Sequence, residues 1–507
     1  MTGQDLLLLL PEIVLTVAAF LVFTLDIIWR RGERKADWLP WLAVLGAAGA
    51  FVATLFIWPL AGPGAVIATD LGGTETPMLA VDRMALFFKL VIALVVALVG
   101  LSAISYVPSR TPYRGEFYAL MMLAGLSAML VSSSTNLVMI YLAFEFLSIT
   151  SYVLTGYLRQ DERSTEAALK YFLYGAVASA VMLYGFSLLY GATGTVDLTQ
   201  IARGLGSLGA ADRSIDIFLA VPAIIMVLAG LGFKVALVPF HQWTPEAYEG
   251  APTPIAAFLS VGSKAAGFGV LIRILVVALP AYELNWVAIL IGISIITMTL
   301  GNLVALWQTD IKRLLAYSSI SNAGFILIGL AALNPNAASE WAMGLNGLLL
   351  FLFAYLFTNL GAFAVVIAVE NATGSTRIAE YAGLIRRSPF LAIAMFIFLL
   401  SLIGIPPTGG FVGKLFVFGA AIGRAEPRFY LLAGVGIVNS VISVYYYFKI
   451  ARNMFFEDAG DAAPLRAGGP LAAVVTISMV MTLLIAIFMQ PFIDLATDSV
   501  QILASIF

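Results

Sequence analysis

Hydrophobic segments of about 20 residues recur from one end of the chain to the other, separated by short polar stretches. A helix of that length spans the hydrocarbon core of a bilayer, which is about 30 Å thick. The segments lack the period-two alternation of barrel strands, and backbone in lipid must satisfy its own hydrogen bonds. The pattern therefore predicts an all-α polytopic membrane protein.

Counting one span for each segment gives about fourteen helices. Their predicted limits are 5–29, 38–61, 81–106, 115–133, 136–157, 165–190, 215–240, 252–280, 285–307, 311–333, 341–370, 389–421, 429–454 and 470–497. We predict a single membrane domain over 1–507. It contains three N-terminal helices within 1–110, two five-helix blocks at 115–280 and 285–454, and a C-terminal helix at 470–497.

Two of the predicted spans are interrupted by proline. The seventh contains Pro239, and the twelfth contains Pro406 and Pro407 between glycines. Proline removes a backbone donor and clashes with the preceding turn, so both helices should break there. Interrupted helices at matching places in two halves are typical of inverted-repeat transporters. We therefore predict that the two five-helix blocks are inverted repeats.

Lysine and arginine concentrate in alternate loops. One side carries Arg30, Arg31, Arg34, Lys35, Arg110, Arg114, Arg159, Arg163, Lys312, Arg313, Arg377, Arg386, Arg387, Arg452 and Arg466. The other side carries Arg83, Arg203, Arg213, Arg424 and Arg428. Because positive loops stay in the cytoplasm, we predict that both termini lie on the non-cytoplasmic side.

The amino-acid composition limits the kinds of chemistry that this chain can perform. The chain is 61% hydrophobic and 11% charged, against roughly 25% charged in soluble proteins. It has no cysteine and one histidine, His241, whereas iron–sulfur clusters need thiolates and haem or copper centres usually need several histidines. We expect no metal, cofactor or redox centre in this chain. The net charge of −2 gives no sign of nucleic-acid binding.

Five ionisable residues lie deep in the predicted spans, where each costs several kcal/mol. They are Glu145, Lys170, Lys234, Lys264 and Lys414. One acid cannot neutralise four lysines, so the excess indicates lysines that are neutral part of the time, as proton transfer requires. The alternative is a fixed structural ion pair between Glu145 and one lysine. Small residues around Lys264 favour its placement inside the bundle.

The free energy of shifting the pKa of a buried lysine is of the size that proton transfer across a membrane requires. Burial without a partner lowers the pKa of a lysine by about 3–5 pH units, and an approaching carboxylate raises it again. A swing of about 3 pH units corresponds to about 4 kcal/mol. Moving one charge against about 180 mV costs nearly the same, at about 2.3 kcal/mol per 100 mV.

Other ionisable residues have simpler interpretations. Lys89, Arg273 and Lys449 lie where a long side chain can reach an interface, so we predict that they snorkel. Asp26 is expected at a solvated helix end. His241 has two interpretations that the sequence leaves open, a proton relay near neutral pH and a hydrogen-bonded histidine at a helix end.

Several stretches resemble the antiporter-like subunits of respiratory complex I. They are Gly232-Phe-Lys-Val-Ala-Leu-Val-Pro-Phe-His-Gln-Trp-Thr-Pro-Glu-Ala-Tyr-Glu-Gly-Ala-Pro-Thr-Pro254, Glu166-Ala-Ala-Leu-Lys-Tyr-Phe172, Asp310-Ile-Lys-Arg-Leu-Leu-Ala-Tyr-Ser-Ser-Ile-Ser-Asn322 and Gly404-Ile-Pro-Pro-Thr-Gly-Gly-Phe-Val-Gly-Lys414. The resemblance implies that Glu145, Lys234, Lys264 and Lys414 carry protons. Lys170 matches an additional lysine of the sixth helix.

The resemblance also implies partners and location. NADH, FMN, iron–sulfur clusters and quinone would bind other subunits, while this chain would contact neighbouring antiporter-like subunits, small membrane subunits and lipids in a bacterial inner membrane. Tyr248-Glu249-Gly250 is similar to the N branch of the family. In the M branch the residue that corresponds to Lys414 is similar to Glu, so Lys414 departs from that branch. The short C-terminal segment departs from the L branch.

Three alternatives remain at this point. The chain could belong to a related multi-subunit cation/proton antiporter or a membrane-bound hydrogenase, which share the Glu and Lys pattern. A stand-alone solute transporter is disfavoured by four deep lysines without a polar substrate cluster. A purely structural membrane spacer would tolerate neutral substitution of Lys234 and Lys264.

Overall fold

The computed structural model describes residues 3–30, 37–62, 66–71, 74–211, 219–333, 338–458 and 463–504. Within these residues, twelve helices are long and apolar enough to cross a membrane. Two further spans are each divided into two shorter helices. The prediction of about fourteen spans is thus confirmed. Arg31, Arg34, Lys35 and Arg213, which entered the orientation prediction, lie outside the described residues.

The helices follow one another as three N-terminal spans, two blocks of five spans and a C-terminal pair. The N-terminal helices are α1 Gly3–Leu8, α2 Leu10–Arg30, α3 Leu39–Ile57 and α4 Arg83–Ala103. The first block contains α5 Arg114–Ser133, α6 Leu137–Thr155, α7 Glu162–Thr193, α8 Leu198–Ala211, α9 Val221–Val235, α10 Trp243–Gly250 and α11 Thr253–Ala278. The second contains α12 Glu283–Ala305, α13 Ile311–Ala331, α14 Ala338–Thr373, α15 Leu384–Arg387, α16 Pro389–Ile403, α17 Gly409–Gly423 and α18 Pro427–Phe456. The C-terminal helices are α19 Gly469–Ile487 and α20 Met489–Ala504.

The two blocks share one layout. In each, the fourth span is the divided one, α9 with α10 in the first block and α16 with α17 in the second. Because five spans bring the chain out on the opposite side, the second block enters the membrane from the side opposite to the first. The blocks therefore have inverted topology, as predicted.

The centre of the bundle is formed by spans from both blocks. In the most apolar 18-residue stretch of α11 and of α14, 100% of the residues are buried within the protein, and in that of α13, 94% are buried. In the corresponding stretches of the peripheral helices α7 and α18, only 33% and 39% of the residues are buried. Side chains on α11 and α13 are thus shielded from lipid by protein on every side.

A β-hairpin and a helix after the sixth span are among the elements that were not predicted. Strands β1 Val66–Leu71 and β2 Thr74–Ala80 pair antiparallel between the second and third spans. Helix α8 follows the sixth span and buries Leu198, Ile201 and Leu205, which share one face at helical spacing. Both elements are shorter than a span, so a search for 20-residue apolar runs does not detect them.

The predicted last span at 470–497 is too long. The chain leaves the helical conformation at Phe488, where ψ is 62°, and α20 begins at Met489. Pro491 lies in the first turn of the new helix, where its missing N–H leaves no hydrogen bond unmade. The C-terminal segment is therefore a span followed by a second, amphipathic helix.

The snorkelling prediction is wrong for Lys89 and Arg273, which are 1% and 2% exposed. Lys89 Nζ lies 2.7 Å from Glu12 Oε1. Arg273 donates to both carboxylate oxygens of Asp82, at 2.7 and 2.9 Å. The acidic partners come from α2 and from the N-cap of α4, distant in sequence, so each charge is neutralised inside the protein.

The two remaining residues, Lys449 and Asp26, differ in their exposure. Lys449 on α18 is partly exposed. Asp26 is 8% exposed, and an added Cβ on Gly115 would lie 2.3 Å from its Cβ. The prediction of a solvated helix end at Asp26 is wrong because α5 packs directly over it.

Candidate functional site

The first helix break lies where Pro239 predicts it. Helix α9 ends at Val235, Ala236 adopts a left-handed conformation with φ of 63°, and α10 begins at Trp243. A broken helix leaves carbonyls without partners at its end. At this end the Ala236 amide donates to Phe233 O at 3.1 Å, and the indole of Trp243 donates to the same carbonyl at 2.9 Å.

Lys234 lies in the last turn of α9 and is fully buried. Its Nζ donates to Ser148 Oγ on α6 at 3.0 Å and lies 5.1 Å from the ring centroid of Phe144. The C-terminal end of a helix carries partial negative charge, which favours a cation. The broken helix thus provides a place for a buried ammonium group.

Glu145 does not form the fixed ion pair that was the alternative. Among the described residues, no carboxylate oxygen lies within 4 Å of Lys234 Nζ, and Glu145 acts on it only through longer-range Coulomb attraction. Glu145 is partly exposed on α6, and its Oε1 has no hydrogen-bond partner in the described part of the chain. The pair is therefore open in this conformation.

Lys264 lies on the fully buried span α11, directly after a π-helical turn over Leu259–Ser263. Its Nζ donates to Ser319 O on α13 at 2.5 Å. Single π-helical turns inside α-helices are frequent at functional sites. The prediction that Lys264 faces the bundle interior is confirmed.

The glycine-rich surface of α11 brings the first two lysines together. An added Cβ on Gly267, one turn after Lys264, would lie 2.6 Å from Val235 Cγ1 and 3.5 Å from Lys234 Cβ. Only a residue without a side chain permits α9 and α11 to approach this closely. Lys234 and Lys264 therefore lie on helices in direct contact.

The second break lies at Pro406 and Pro407, as predicted. Helix α16 ends at Ile403, Gly404 follows with φ of 91°, and α17 begins at Gly409. Positive φ of this kind is accessible to glycine at little cost. The two divided spans thus end their first half in the same left-handed conformation.

Lys414 on α17 reaches back to the end of α16. Its Nζ donates to Ile403 O at 2.7 Å, Leu402 O at 3.2 Å and Ser440 Oγ on α18 at 3.2 Å. The residue is 4% exposed, and no carboxylate lies within 4 Å of it among the described residues. Lys414 caps the helix end with its charge, whereas in the first block Trp243 has the capping role.

Replacing Gly404 by alanine tests the position of Lys414. The added Cβ would lie 2.8 Å from Lys414 Cδ, so the lysine must move, and the left-handed backbone adds about 1–2 kcal/mol of strain. We expect the proton transfer that the sequence predicts to slow several-fold, as measured by proton uptake in membrane vesicles. Gly374→Ala is the matched control, because φ is 70° there and an added Cβ meets nothing within 4 Å. Equal pumping by the two variants would show that Lys414 need not stay in place.

A line of buried polar groups, which the sequence analysis did not single out, leads from Lys264 toward the second block. Ser319 Oγ accepts from Tyr355 OH at 2.9 Å, and Tyr248 OH lies 3.5 Å from it. On the adjacent residue of α13, Ser318 Oγ and Tyr447 OH lie 2.5 Å apart. These hydroxyls connect α10, α13, α14 and α18 in the centre of the bundle.

The line continues on α18 to Lys414. Tyr446 OH donates to Asn302 Oδ1 at 2.9 Å, and Asn302 Nδ2 donates to Asn439 Oδ1 at 3.1 Å. Ser440, the next residue, accepts from Lys414. The sequence signal for this line is weak. It consists of a Ser-rich run in an otherwise apolar span and of polar residues three or four positions apart on α18.

The predicted deep position of Lys170 is wrong. Its side chain is 40% exposed, and its Nζ contacts Glu166 at 2.7 Å and Glu246 at 3.0 Å. Arg313 also contacts Glu246, at 3.1 Å, which holds α10 between α7 and α13. An ammonium group near the start of α7 can reach carboxylates outside the apolar core, so burial is not required.

His241 lies between α9 and α10 and is 9% exposed. Its Nδ1 has no hydrogen-bond partner in the described part of the chain. With Lys170 and Glu246 it lines a cavity of about 320 Å³. Both interpretations of His241 remain compatible with this position.

The residues described by the structure contain no group of three or more His, Cys, Asp or Glu side chains that could hold a metal ion. Broken spans in inverted blocks, with buried lysines at the breaks, define an ion-translocating membrane protein as the class. The chain belongs to the NADH:quinone oxidoreductase/Mrp antiporter transmembrane family, whose pattern matches residues 134–443.

Relatives extend this match over nearly the whole chain. NAD(P)H-quinone oxidoreductase subunit 2 of Microcystis aeruginosa is 42% identical over 502 residues, which cover 97% of this chain and 93% of that protein. A chain of respiratory complex I from Thermus thermophilus is 30% identical with a TM-score of 0.75 and covers 96% of this chain and 99% of that chain. These matches confirm the resemblance to the complex I subunits.

A more distant structure shows how widely the fold is used. A chain of the Mrp complex from Dietzia sp. is 22% identical with a TM-score of 0.83 and covers 100% of this chain and 99% of that chain. At this identity the likeness shows the fold alone. Because these relatives are subunits of larger assemblies, the stand-alone transporter is disfavoured.

Proposed function

We propose that the chain is a proton-translocating membrane-arm subunit of an NADH:quinone oxidoreductase. The observation that carries this proposal is that Lys234, Lys264 and Lys414 are buried and, among the residues that the structure describes, donate only to neutral oxygens. A permanent unpaired charge in such surroundings costs several kcal/mol. A group that takes up and releases a proton avoids that cost for part of each cycle.

The arrangement supports a sequence of transfers. Glu145, moving toward or away from Lys234, controls whether that lysine holds its proton. The contact between α9 and α11 gives Lys234 a short route to Lys264. The polar line through Ser319 then leads toward Lys414, and Lys170 and His241 are additional relays beside the first break.

Water completes the route between the first two lysines. The hydroxyls of Tyr171, Thr244 and Ser263 are buried and lack protein partners among the described residues. A buried hydroxyl normally has a hydrogen-bond partner, and an internal water makes about three such bonds. These hydroxyls provide anchoring points for water beside Lys264.

Partners and location follow from the same proposal. NADH, FMN, iron–sulfur clusters and quinone bind other subunits, and this chain holds no cofactor. Its arginine-rich face lies in the cytoplasm of a bacterium, with both termini on the other side of the inner membrane. Apolar residues exposed on α7 and the partly exposed Glu145 on α6 face a neighbouring membrane subunit or lipid.

Two substitutions of Lys264 test the proposal. Lys264→Met keeps the length of the side chain without its charge, and Lys264→Arg keeps a charge that cannot be released. Since a positioned acid–base group contributes about 10²–10⁴-fold, both should reduce proton pumping and coupled turnover at least about tenfold. The measurement is made on assembled complex in membrane vesicles. Normal pumping by Lys264→Arg would mean that the lysine acts only as a fixed charge.

A subunit of a cation/proton antiporter is the second candidate, because the family that matches residues 134–443 includes the Mrp antiporters. Purification of the native assembly distinguishes the two. Flavin and iron–sulfur absorbance in the purified complex would support the oxidoreductase, and their absence would support the antiporter.

A further inference from the structure

A large polar cavity opens on the arginine-rich face, where the loops of the two five-helix blocks meet. Its volume is about 1060 Å³. Arg110, Arg159, Arg163 and Arg377 line it, and these belong to the loops that the positive-inside rule places in the cytoplasm. We call it the inlet cavity. Water and protons from the cytoplasm thus reach the boundary between the two blocks.

The floor of the inlet cavity carries a carboxylate that the sequence analysis did not consider. Glu370 lies at the end of α14, and its side chain is 12% exposed. Its Oε1 accepts from Tyr106 OH at 3.0 Å and from Arg110 Nη2 at 3.2 Å, and its Oε2 accepts from Thr253 Oγ1 at 2.5 Å. Glu370 therefore joins the N-terminal helices to the start of α11.

The donors around Glu370 hold it in one place. Burial and the Glu370 carboxylate keep the pKa of Tyr106 well above its usual range, so this hydroxyl remains a donor. The guanidinium of Arg110 is always charged. The carboxylate is oriented by three donors, two from the segment between α4 and α5 and one from the start of α11, and it lines the cavity.

A second unassigned charge lies on the same floor. Lys312, in the first turn of α13, is 4% exposed and donates to Ala251 O at 2.7 Å. It interacts with the charge of Glu370. Lys312 therefore places an ammonium group near Glu370 at the start of the span that carries Ser319.

Polar groups lead from this floor to Lys264. Tyr248 adjoins Glu249 in the cavity wall, and its hydroxyl lies 3.5 Å from Ser319 Oγ. Ser319 O accepts from Lys264, and Ser319 follows Lys312 by two turns of α13, roughly 10 Å. The distance from floor to lysine is thus short enough for a few water molecules to bridge.

We propose that the inlet cavity is the cytoplasmic proton entrance to Lys264 and that Glu370 is the carboxylate that receives the proton there. This inference rests on the proposed function of the chain. Glu370 accepts a proton from a hydronium ion in the cavity, so one O–H bond of hydronium breaks and an O–H bond to the carboxylate forms. The carboxylic acid then releases that proton past Lys312 and Tyr248 to the neutral amine of Lys264, where the O–H bond breaks and an N–H bond forms.

The first test replaces Glu370 by glutamine in the assembled complex. Glutamine keeps the shape and still accepts from Tyr106, but it cannot take up a proton at neutral pH. We expect pumping and coupled turnover to fall about tenfold or more. Because the substitution also breaks the ion pair with Arg110, assembly of the complex is verified beside the activity. Glu370→Asp should restore most of the activity. Glu380→Gln is the matched control, since Glu380 lies near the same face but does not line the cavity.

Lys264→Met, measured in the same series, separates this inference from the function it rests on. If Lys264→Met stops pumping while Glu370→Gln pumps normally, the entrance is elsewhere and the proposed function stands. If both variants pump normally, the proposed function itself fails.

A second measurement does not depend on tolerance of the Glu370 substitution. The chain has no cysteine, so Ser375→Cys places a single thiol in the wall of the inlet cavity. A bulky, membrane-impermeant thiol reagent added to inverted vesicles should block pumping by this variant. Ser388→Cys, outside the cavity, and the unsubstituted complex are the controls. Full labelling of Ser375→Cys with unchanged pumping would overturn the proposal.

Discussion

Replacing Lys234 by alanine is expected to abolish proton pumping and coupled NADH:quinone turnover in a complex that still assembles. Lys234 is the first buried lysine after Glu145, and within the described part of the chain it donates only to Ser148. Removing it interrupts transfer to Lys264, and a positioned acid–base group contributes about 10²–10⁴-fold. Assembly should survive, because the substitution removes a buried charge that has no carboxylate contact. Pumping in vesicles and turnover with and without an uncoupler are the measurements.

Lys449→Ala is the matched control for this experiment. Lys449 is also a lysine within a span, but it is partly exposed on α18. Its loss should leave both activities close to normal. Near-normal pumping by Lys234→Ala would reduce Lys234 to a structural residue and remove the basis of the proposed transfer from Lys234 to Lys264.

Asp82→Asn is expected to lower the free energy of unfolding by about 3–5 kcal/mol, because it leaves Arg273 charged and unpaired inside the protein. The ion pair is bidentate, and Arg273 also donates to Ser132 O at 2.8 Å. Asparagine is as good an N-cap as aspartate, so the cap on α4, where Asp82 accepts from Ala85 N at 2.7 Å, is retained. Thermal unfolding of the purified protein in detergent measures the loss.

Two controls separate the charge effect from the change of residue. Asp82→Asn combined with Arg273→Met should recover most of the stability, because replacing both partners of a buried pair is often neutral. Asp458→Asn breaks the pair with Arg386, in which both side chains are more than 70% exposed, and should cost less than about 1 kcal/mol. Equal destabilisation by Asp82→Asn and Asp458→Asn would contradict the argument.

The pH dependence of this pair has a definite sign. Burial alone raises the pKa of Asp82, but Arg273 and the Ala85 amide more than offset it, so the folded pKa lies below the ordinary 3.8. A lowered folded pKa means that the stabilisation is complete above the unfolded value and is lost only as the pH falls below it. The difference between the parent protein and Asp82→Asn should therefore be constant across neutral pH.

The spans and their breaks could be predicted from the sequence because their causes are local. A run of about 20 apolar residues must form a helix in lipid, and Pro239, Pro406 and Pro407 cannot continue one. The deep lysines could be found for the same reason, since a charge inside an apolar run is visible in the sequence itself. Lys234, Lys264 and Lys414 all proved to be buried at or beside irregular helix geometry.

The predictions that failed for the charged residues failed because they depend on contacts between helices. Lys89 and Arg273 were expected to reach an interface, but acids on other helices neutralise them within the protein. Lys170 was expected to be deep, but it pairs with Glu166 and Glu246 at the edge of the bundle. For Lys89 and Arg273 the deciding residue lies far away in the sequence.

The sequence by itself determined which segments cross the membrane, where two of them break, and which lysines lie within apolar segments, where burial of their charge costs free energy. Only the tertiary structure decided which charges are paired, which hydroxyls join Lys264 to Lys414, and where the inlet cavity meets Glu370. The physical reason is that helix formation in lipid depends on neighbouring residues. The energy of a buried charge depends instead on groups within a few ångströms, which chain packing brings from any part of the sequence.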